Sequence, residues 1–450
     1  MTRRVTRRHA LAAVGATALG SLAGCSGVGS EPGFWDDPPS LDVDAVPREF
    51  DDSVPARPRI VPVGFEPEVA AAFADRVDRL LGPIPDPLTA ERLPHGGFRE
   101  RIESERAAAR EALPGADEPL PPLGAAERYA AARDHAATAV GTWAGVTVEG
   151  EPEAVAADGG TVRGRASGAL DALPGPAADP LAGTAVYGPI ERWYDESLRR
   201  TLVGGGSPAD EANPIRAGEA VGNVERVQSY VEAGRYLRDR YAASLADPEP
   251  VAEPIRREMN RLGRVVGDRL RELHGEGVED LRESPGPEAF VDGRGVATDA
   301  PSDSLLSSAV YRSFDGVWFD PVALGDYEPD HPATGLTRTA LVLTRLRALD
   351  DIAARVEAGE TMFPDGPDAI GAARGAAVAS ASSLADHENP LARWLATQFL
   401  PLFAEQDEAL AADERSVRSA AEAYAEYRWI ETVTGEAEAV AASVASEFES

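Results

Sequence analysis

The chain has 450 residues, a formal net charge of −32, one cysteine, and 44 basic residues that are all arginine. With no lysine and no second cysteine it has no Gly-Lys phosphate loop, no Schiff-base lysine, no internal disulfide and no zinc–thiolate or iron–sulfur centre. The acid excess argues against direct DNA or RNA binding, which needs a basic footprint; 43% hydrophobic residues give a sizeable core, and the length suits about three domains, with one large or two medium domains as alternatives.

The first predicted element is an export signal. Arg3, Arg4, Arg7 and Arg8 precede a mildly apolar run from Ala10 to Leu22. That run is shorter than the about 20 residues a membrane-spanning helix needs. A basic flank, a short apolar core and small residues at its end fit a cleavable signal. Thr6-Arg7-Arg8, with Leu11 after it, resembles the twin-arginine signal for exporting folded proteins, which gives Arg7 and Arg8 the recognition role. Leu22-Ala23-Gly24-Cys25 resembles the lipobox of exported lipoproteins. The resemblance implies that residues 1–24 are removed and that Cys25 carries a lipid at the outer face of the cell membrane. A single acyl chain holds only marginally, so stable mooring takes a second chain or another contact. Acid excess without lysine resembles proteins of salt-loving archaea. In molar salt the Debye length is about 3 Å, which screens repulsion among the acids.

Residues 25–58, rich in Pro, Gly and Asp, read as an extended acidic tether. Stretched at ~3.1 Å per residue it would reach about 100 Å. Phe34 and Trp35 on it have two readings, docking on the body or dipping into lipid headgroups. "RPRIVPVGF", Arg57 to Phe65, is strand-like, but Pro58 and Pro62 demote it to an edge or an extended arm.

From there the pattern is helical. Residues 59–205 form an N-terminal helical region, with Val69, Ala72, Phe73, Val77 and Leu80 stepping at three or four. Residues 206–284 read as two long helices. Val224, Val227, Val231, Leu237, Tyr241 and Leu245 mark the first. Ile255, Met259, Leu262, Val266, Leu270 and Leu273 mark the second, between Pro254 and Gly275. "LADPEP" between them predicts an antiparallel pair. Residues 285–335 read as an irregular acidic loop region, and 336–450 as a C-terminal helical region. The expected architecture is all-α, a multi-helix bundle or stacked helical hairpins.

Candidate chemistry is sparse. "FDGVWFDPVALGDYEPDH" gathers Asp315, Asp320, Asp326, Glu328, Asp330 and His331 in a loop. Such oxygens can hold Ca2+, although the spacing is not that of an EF-hand, and the same acids with a histidine suit hydrolysis. No Gly-x-Ser-x-Gly elbow and no Gly-x-Gly-x-x-Gly turn occurs. The tryptophans sit mostly in helical patterns, where core packing is the ordinary role. The leading expectation is a non-enzymatic cell-surface lipoprotein that binds a ligand or an envelope protein, with no catalytic residues. The alternatives are a solute-capturing lipoprotein of a transport system and a surface hydrolase using the loop carboxylates.

Overall fold

In the computed structural model of the chain, the described residues are 34–36, 38–50, 52–115, 120–147, 159–203, 213–274, 300–318 and 331–449. Among them the architecture is all-α, and the one sheet-like feature is a bridge between Ala177 and Glu249. The helices are α1 (Pro67–Leu81), α2 (Gly96–Ala112), α3 (Pro122–Val146), α4 (Gly159–Leu170), α5 (Pro180–Val203), α6 (Pro214–Ser244) and α7 (Ala252–His274). There follow α8 (Ala300–Trp318), α9 (Pro332–Glu357), α10 (Pro367–Ala385), α11 (Pro390–Phe399), α12 (Pro401–Ala411) and α13 (Val417–Glu449).

Proline sets many of the starts. Pro67, Pro122, Pro214, Pro332, Pro367 and Pro390 each open a helix, where a fixed φ fits and a missing N–H loses no bond. Asn213 and Asn389 accept from the amides of Ile215 at 3.0 Å and Leu391 at 2.9 Å. Caps of this kind contribute about 1 kcal/mol over alanine.

Helix α9 is the axle of the molecule. Its buried residues run around the whole helix, from Ala333 and Leu336 to Ile352 and Ala353, as expected for a helix enclosed on all sides. It packs against α5, α7, α8 and α13. A second core joins α10, α12 and the first half of α13, and a third joins α1, α2 and α3.

Two sequence expectations are corrected. Helices α6 and α7 are both present but do not form an antiparallel pair: α6 lies against α3 and α5, and α7 against α9. The cause is visible at Gly218 and Gly222. A Cβ there would come within 2.2 Å of the Thr142 and Thr138 hydroxyl oxygens of α3. Only glycine permits that approach, so α3 takes the α6 face that hairpin logic gave to α7. The apolar stripe of α7, including Ile255, Leu262, Val266 and Leu270, is buried. Second, the stretch 285–335 is not irregular throughout, because α8 lies within it. Its Leu305, Leu306, Ala309 and Val310 are buried, a short apolar face that the Gly- and Pro-rich flanks obscured.

The described part of the expected tether lies on the body. Phe34, Trp35, Leu41, Val46 and Phe50 join the core of α10, α12 and α13. Arg374 holds this strap: its guanidinium sits 4.5 Å over the Phe50 ring and donates to the Asp52 carbonyl at 2.7 Å. Arg415 donates to the Val46 carbonyl at 2.8 Å. Residues 57–65 then run as an extended arm rather than a strand, with Ile60 and Val61 buried.

Candidate functional site

The sequence-predicted acids do not assemble into a describable site. Asp320, Asp326, Glu328 and Asp330 lie outside the described residues, as do Arg7, Arg8 and Cys25. Asp315 falls on α8, and His331 directly precedes α9. Among the described residues no group of three or more His, Cys, Asp and Glu side chains is placed to hold a metal ion. Three further histidines have local structural partners. His135 meets the Glu105 carboxylate at 2.6 Å, His387 accepts from the Asn389 amide, and His95 accepts from the Phe98 amide.

The structure instead presents two arginine-lined clefts that sequence reasoning missed. The first, of about 470 Å³, opens between α1, α3, α4 and α6. Its floor is an ion network. Glu225 is fully buried, and Arg76 and Arg133 converge on it, Arg133 at 2.7 Å. Arg133 also reaches Glu232 at 2.5 Å. Burial pushes the Glu225 carboxyl up, but the Arg76 hydrogen bond and the charge of Arg133 outweigh it and hold the group below its ordinary value. Each of these buried charges has a counter-charge, as burial requires.

The second cleft, of about 310 Å³, lies where α5 crosses α9 beside α11. Arg192 and Arg199, two turns apart on α5, and Arg338 on α9 line it. Leu341, Val342 and Trp394 give it an apolar wall. Among the described residues no carboxylate lines it. Arg199 pairs with Asp195 on its own helix at 2.8 Å, on the exposed side. Arg192 makes no ion pair among the described residues, and burial is the largest influence on its guanidinium, lowering its pKa. Glu127 and Glu196 oppose that effect at a distance, while Arg338 and Arg57 add to it.

The backbone explains how this cleft is built. Pro189 stands inside α5 and leaves the Ala185 carbonyl without its usual helical donor. Next to it, the Thr334 hydroxyl donates across to the Gly188 carbonyl at 2.8 Å, pinning α9 to α5. Glu191 is fully buried and accepts from the Thr334 amide at 2.7 Å, while its other oxygen, Oε1, has no partner among the described residues. Burial pushes this carboxyl up to about 8, against the hydrogen bonds from Thr334 and Ala333. It is therefore mostly neutral at pH 7. The Thr337 hydroxyl is also committed, donating to the Thr334 carbonyl at 2.9 Å. The rest of the lining is guanidinium groups, the Gln398 amide and apolar side chains.

The residues of this cleft leave a faint trace in the sequence. Arg192 and Arg199 share a face of α5, Thr337, Arg338 and Leu341 recur at helical spacing, and Trp394 and Gln398 are one turn apart. Each spacing is ordinary alone. Only the crossing of α5 on α9 gives them a common meaning.

Residues 68–247 match the model of a family described as a domain of unknown function (DUF8262), and residues 252–446 match that of a second domain of unknown function (DUF8264). The junction falls in the turn between α6 and α7. The second cleft takes α5 from the first matched region and α9 and α11 from the second. No curated protein matches the chain, and no solved structure does. The chain thus carries two regions that match domains of unknown function, and Arg192, Arg199 and Arg338 line the cleft between them.

Proposed function

We propose that this protein is a non-enzymatic binding component of the cell surface, moored by a lipid on Cys25 and adapted to salt. Its helical body captures a small anion in the cleft between α5, α9 and α11. The observation that carries this reading is Arg192, which makes no ion pair among the described residues, in a cleft also lined by Arg199 and Arg338 and by no described carboxylate, in a chain of net charge −32. Like charges held together in an acidic protein oppose folding unless something else selects for them. Small-molecule sites favour domain interfaces and combine apolar walls with a few polar groups, and this cleft does both.

Export and mooring rest on the arginine pair, the short apolar run and the Leu22-Ala23-Gly24-Cys25 sequence. No helix among the described residues is long and apolar enough to cross a membrane. A role in solute capture for a transporter is the second reading, favoured by the same cleft. Mass spectrometry of the protein from native membranes tests the mooring. The expected N-terminus is a lipid-modified Cys25, and an intact Met1 with a bare Cys25 thiol would contradict it. A thermal-shift panel of small anions tests the binding. Ligands that bind only the folded state raise Tm in proportion to ln(1 + [L]/Kd), and the rise is expected in the native chain but not in an Arg192→Gln, Arg338→Gln double variant.

A further inference from the structure

We infer that the strap of residues 34–50 holds the body close to the lipid surface and turns the end formed by α10, α12 and α13 toward it. The inference deepens the mooring reading and rests on it. A free tether over residues 25–58 would let the body stand about 100 Å from its lipid, in any orientation. The docked strap removes most of that length. Phe34 lies edge-on to Trp35 at 4.9 Å and to Phe363 at 5.7 Å. The Arg418 guanidinium covers the Trp35 ring at 5.5 Å. Leu41 and Val46 are buried in the same core, and Arg48 pairs with Asp413 at 3.0 Å. The segment is held further along as well. Arg57 pairs with Glu127 at 2.8 Å, and Phe65 stacks on Tyr236 at 5.5 Å. One stretch of chain thus grips the second matched region and then the first.

Covalent geometry does the rest. Residues 26–33 alone separate Cys25 from Phe34, and nine Cα steps span at most about 30 Å. A lipid on Cys25 therefore lies within that distance of Phe34, beside Phe363 and the start of α10. The charge of this end decides how it meets the bilayer. Asp365, Asp368, Asp413 and Glu414 are exposed around the strap. Carboxylates are costly to bring into hydrocarbon, so this end rests over the headgroups without inserting. Molar salt, with a Debye length of about 3 Å, screens the repulsion between these acids and anionic headgroups.

The test is energy transfer from the body to the membrane. The lipid-bearing mature chain is reconstituted in phosphatidylcholine vesicles that contain a headgroup-labelled acceptor lipid. Cys25 is the sole cysteine, so with its sulfur in a thioether an introduced cysteine is the single thiol for a donor dye. Asp365→Cys places the dye two residues from Phe363, and Ala107→Cys places it on the exposed face of α2. Helix α2 connects to α13 by way of α3, α6 and α5, at about 8–10 Å per layer. Transfer from position 365 is expected to exceed that from position 107 at least about twofold. A Phe34→Ala, Trp35→Ala double variant makes Leu41 the first docked residue and lengthens the reach to about 55 Å. Transfer from position 365 should then fall toward that from position 107. Inserting about 20 Gly and Ser residues between Ser30 and Glu31 should have the same effect without touching the fold. Equal transfer from the two positions, or transfer from position 365 that neither change lowers, would overturn the inference and leave the mooring standing. Two reactive thiols in each variant, on a chain that does not float with the vesicles, would overturn both.

Discussion

The two arginine clefts are built from the same side chain and behave as opposites. At Glu225, Arg76 and Arg133 close around a carboxylate that is fully buried, and Arg133 is spread over two acids. At the α5–α9 crossing, Arg192, Arg199 and Arg338 face a cleft that no described acid lines. A buried pair accounts for itself, because each charge removes the penalty of the other. At the second cleft Arg199 has Asp195, while Arg192 makes no ion pair among the described residues. Arginine content alone says nothing about function here; the local balance of charge does.

That contrast breaks most sharply at Glu225. Glu225→Ala leaves Arg133 buried and half-paired, and is expected to cost about 3–5 kcal/mol in denaturant unfolding. Arg192→Gln in the other cleft should change stability by less than about 1 kcal/mol. If the two substitutions cost the same, the distinction between a structural and a functional cleft fails.

Glu191 gives the next effect. Its folded pKa, about 8, stands above the ordinary carboxyl value of 4.5, so between these values the folded state binds a proton that the unfolded state has lost. Its contribution is neutral below about pH 4 and becomes destabilising as pH rises to 8, at about 1.4 kcal/mol per unit. Glu191→Gln keeps an acceptor for the Thr334 amide and cannot ionise. Urea titrations should therefore find the variant gaining on the native chain by roughly 3 kcal/mol between pH 5 and pH 7. Parallel stability–pH curves would show that Glu191 is not held neutral.

A smaller effect belongs to the strap. Phe50 packs under Arg374 and 6.5 Å from the Tyr427 ring, and it is only partly buried. Phe50→Ala should lower stability by about 1–2 kcal/mol and speed proteolysis within residues 38–50, while leaving anion binding at the distant cleft unchanged. Loss of binding in this variant would show that strap and cleft are coupled.

Much of the helical fold was legible because it is carried by local signals. The spacing of Val69, Ala72, Phe73, Val77 and Leu80 marked α1, and the stripe of α7 marked its buried face. Helices α3, α6 and α9 are harder, since residues bury on several faces and no single stripe stands out. Pairing was illegible for α6, where glycines admit α3 at close range. The second cleft was illegible for a related reason. Arg192 and Arg338 are far apart in sequence and ordinary in their own helices. They become a site only through the crossing at Gly188 and Thr334, a tertiary contact that periodicity does not encode.

The most direct test of the account is a crystal structure of the mature chain grown with 4-iodobenzoate, read by the anomalous signal of iodine. The account predicts one strong site between α5, α9 and α11, with iodine toward Trp394 and Leu341 and the carboxylate on Arg192 and Arg338. Iodine ordered only in the Glu225 cleft, or nowhere on a chain crystallised with excess ligand, would contradict it.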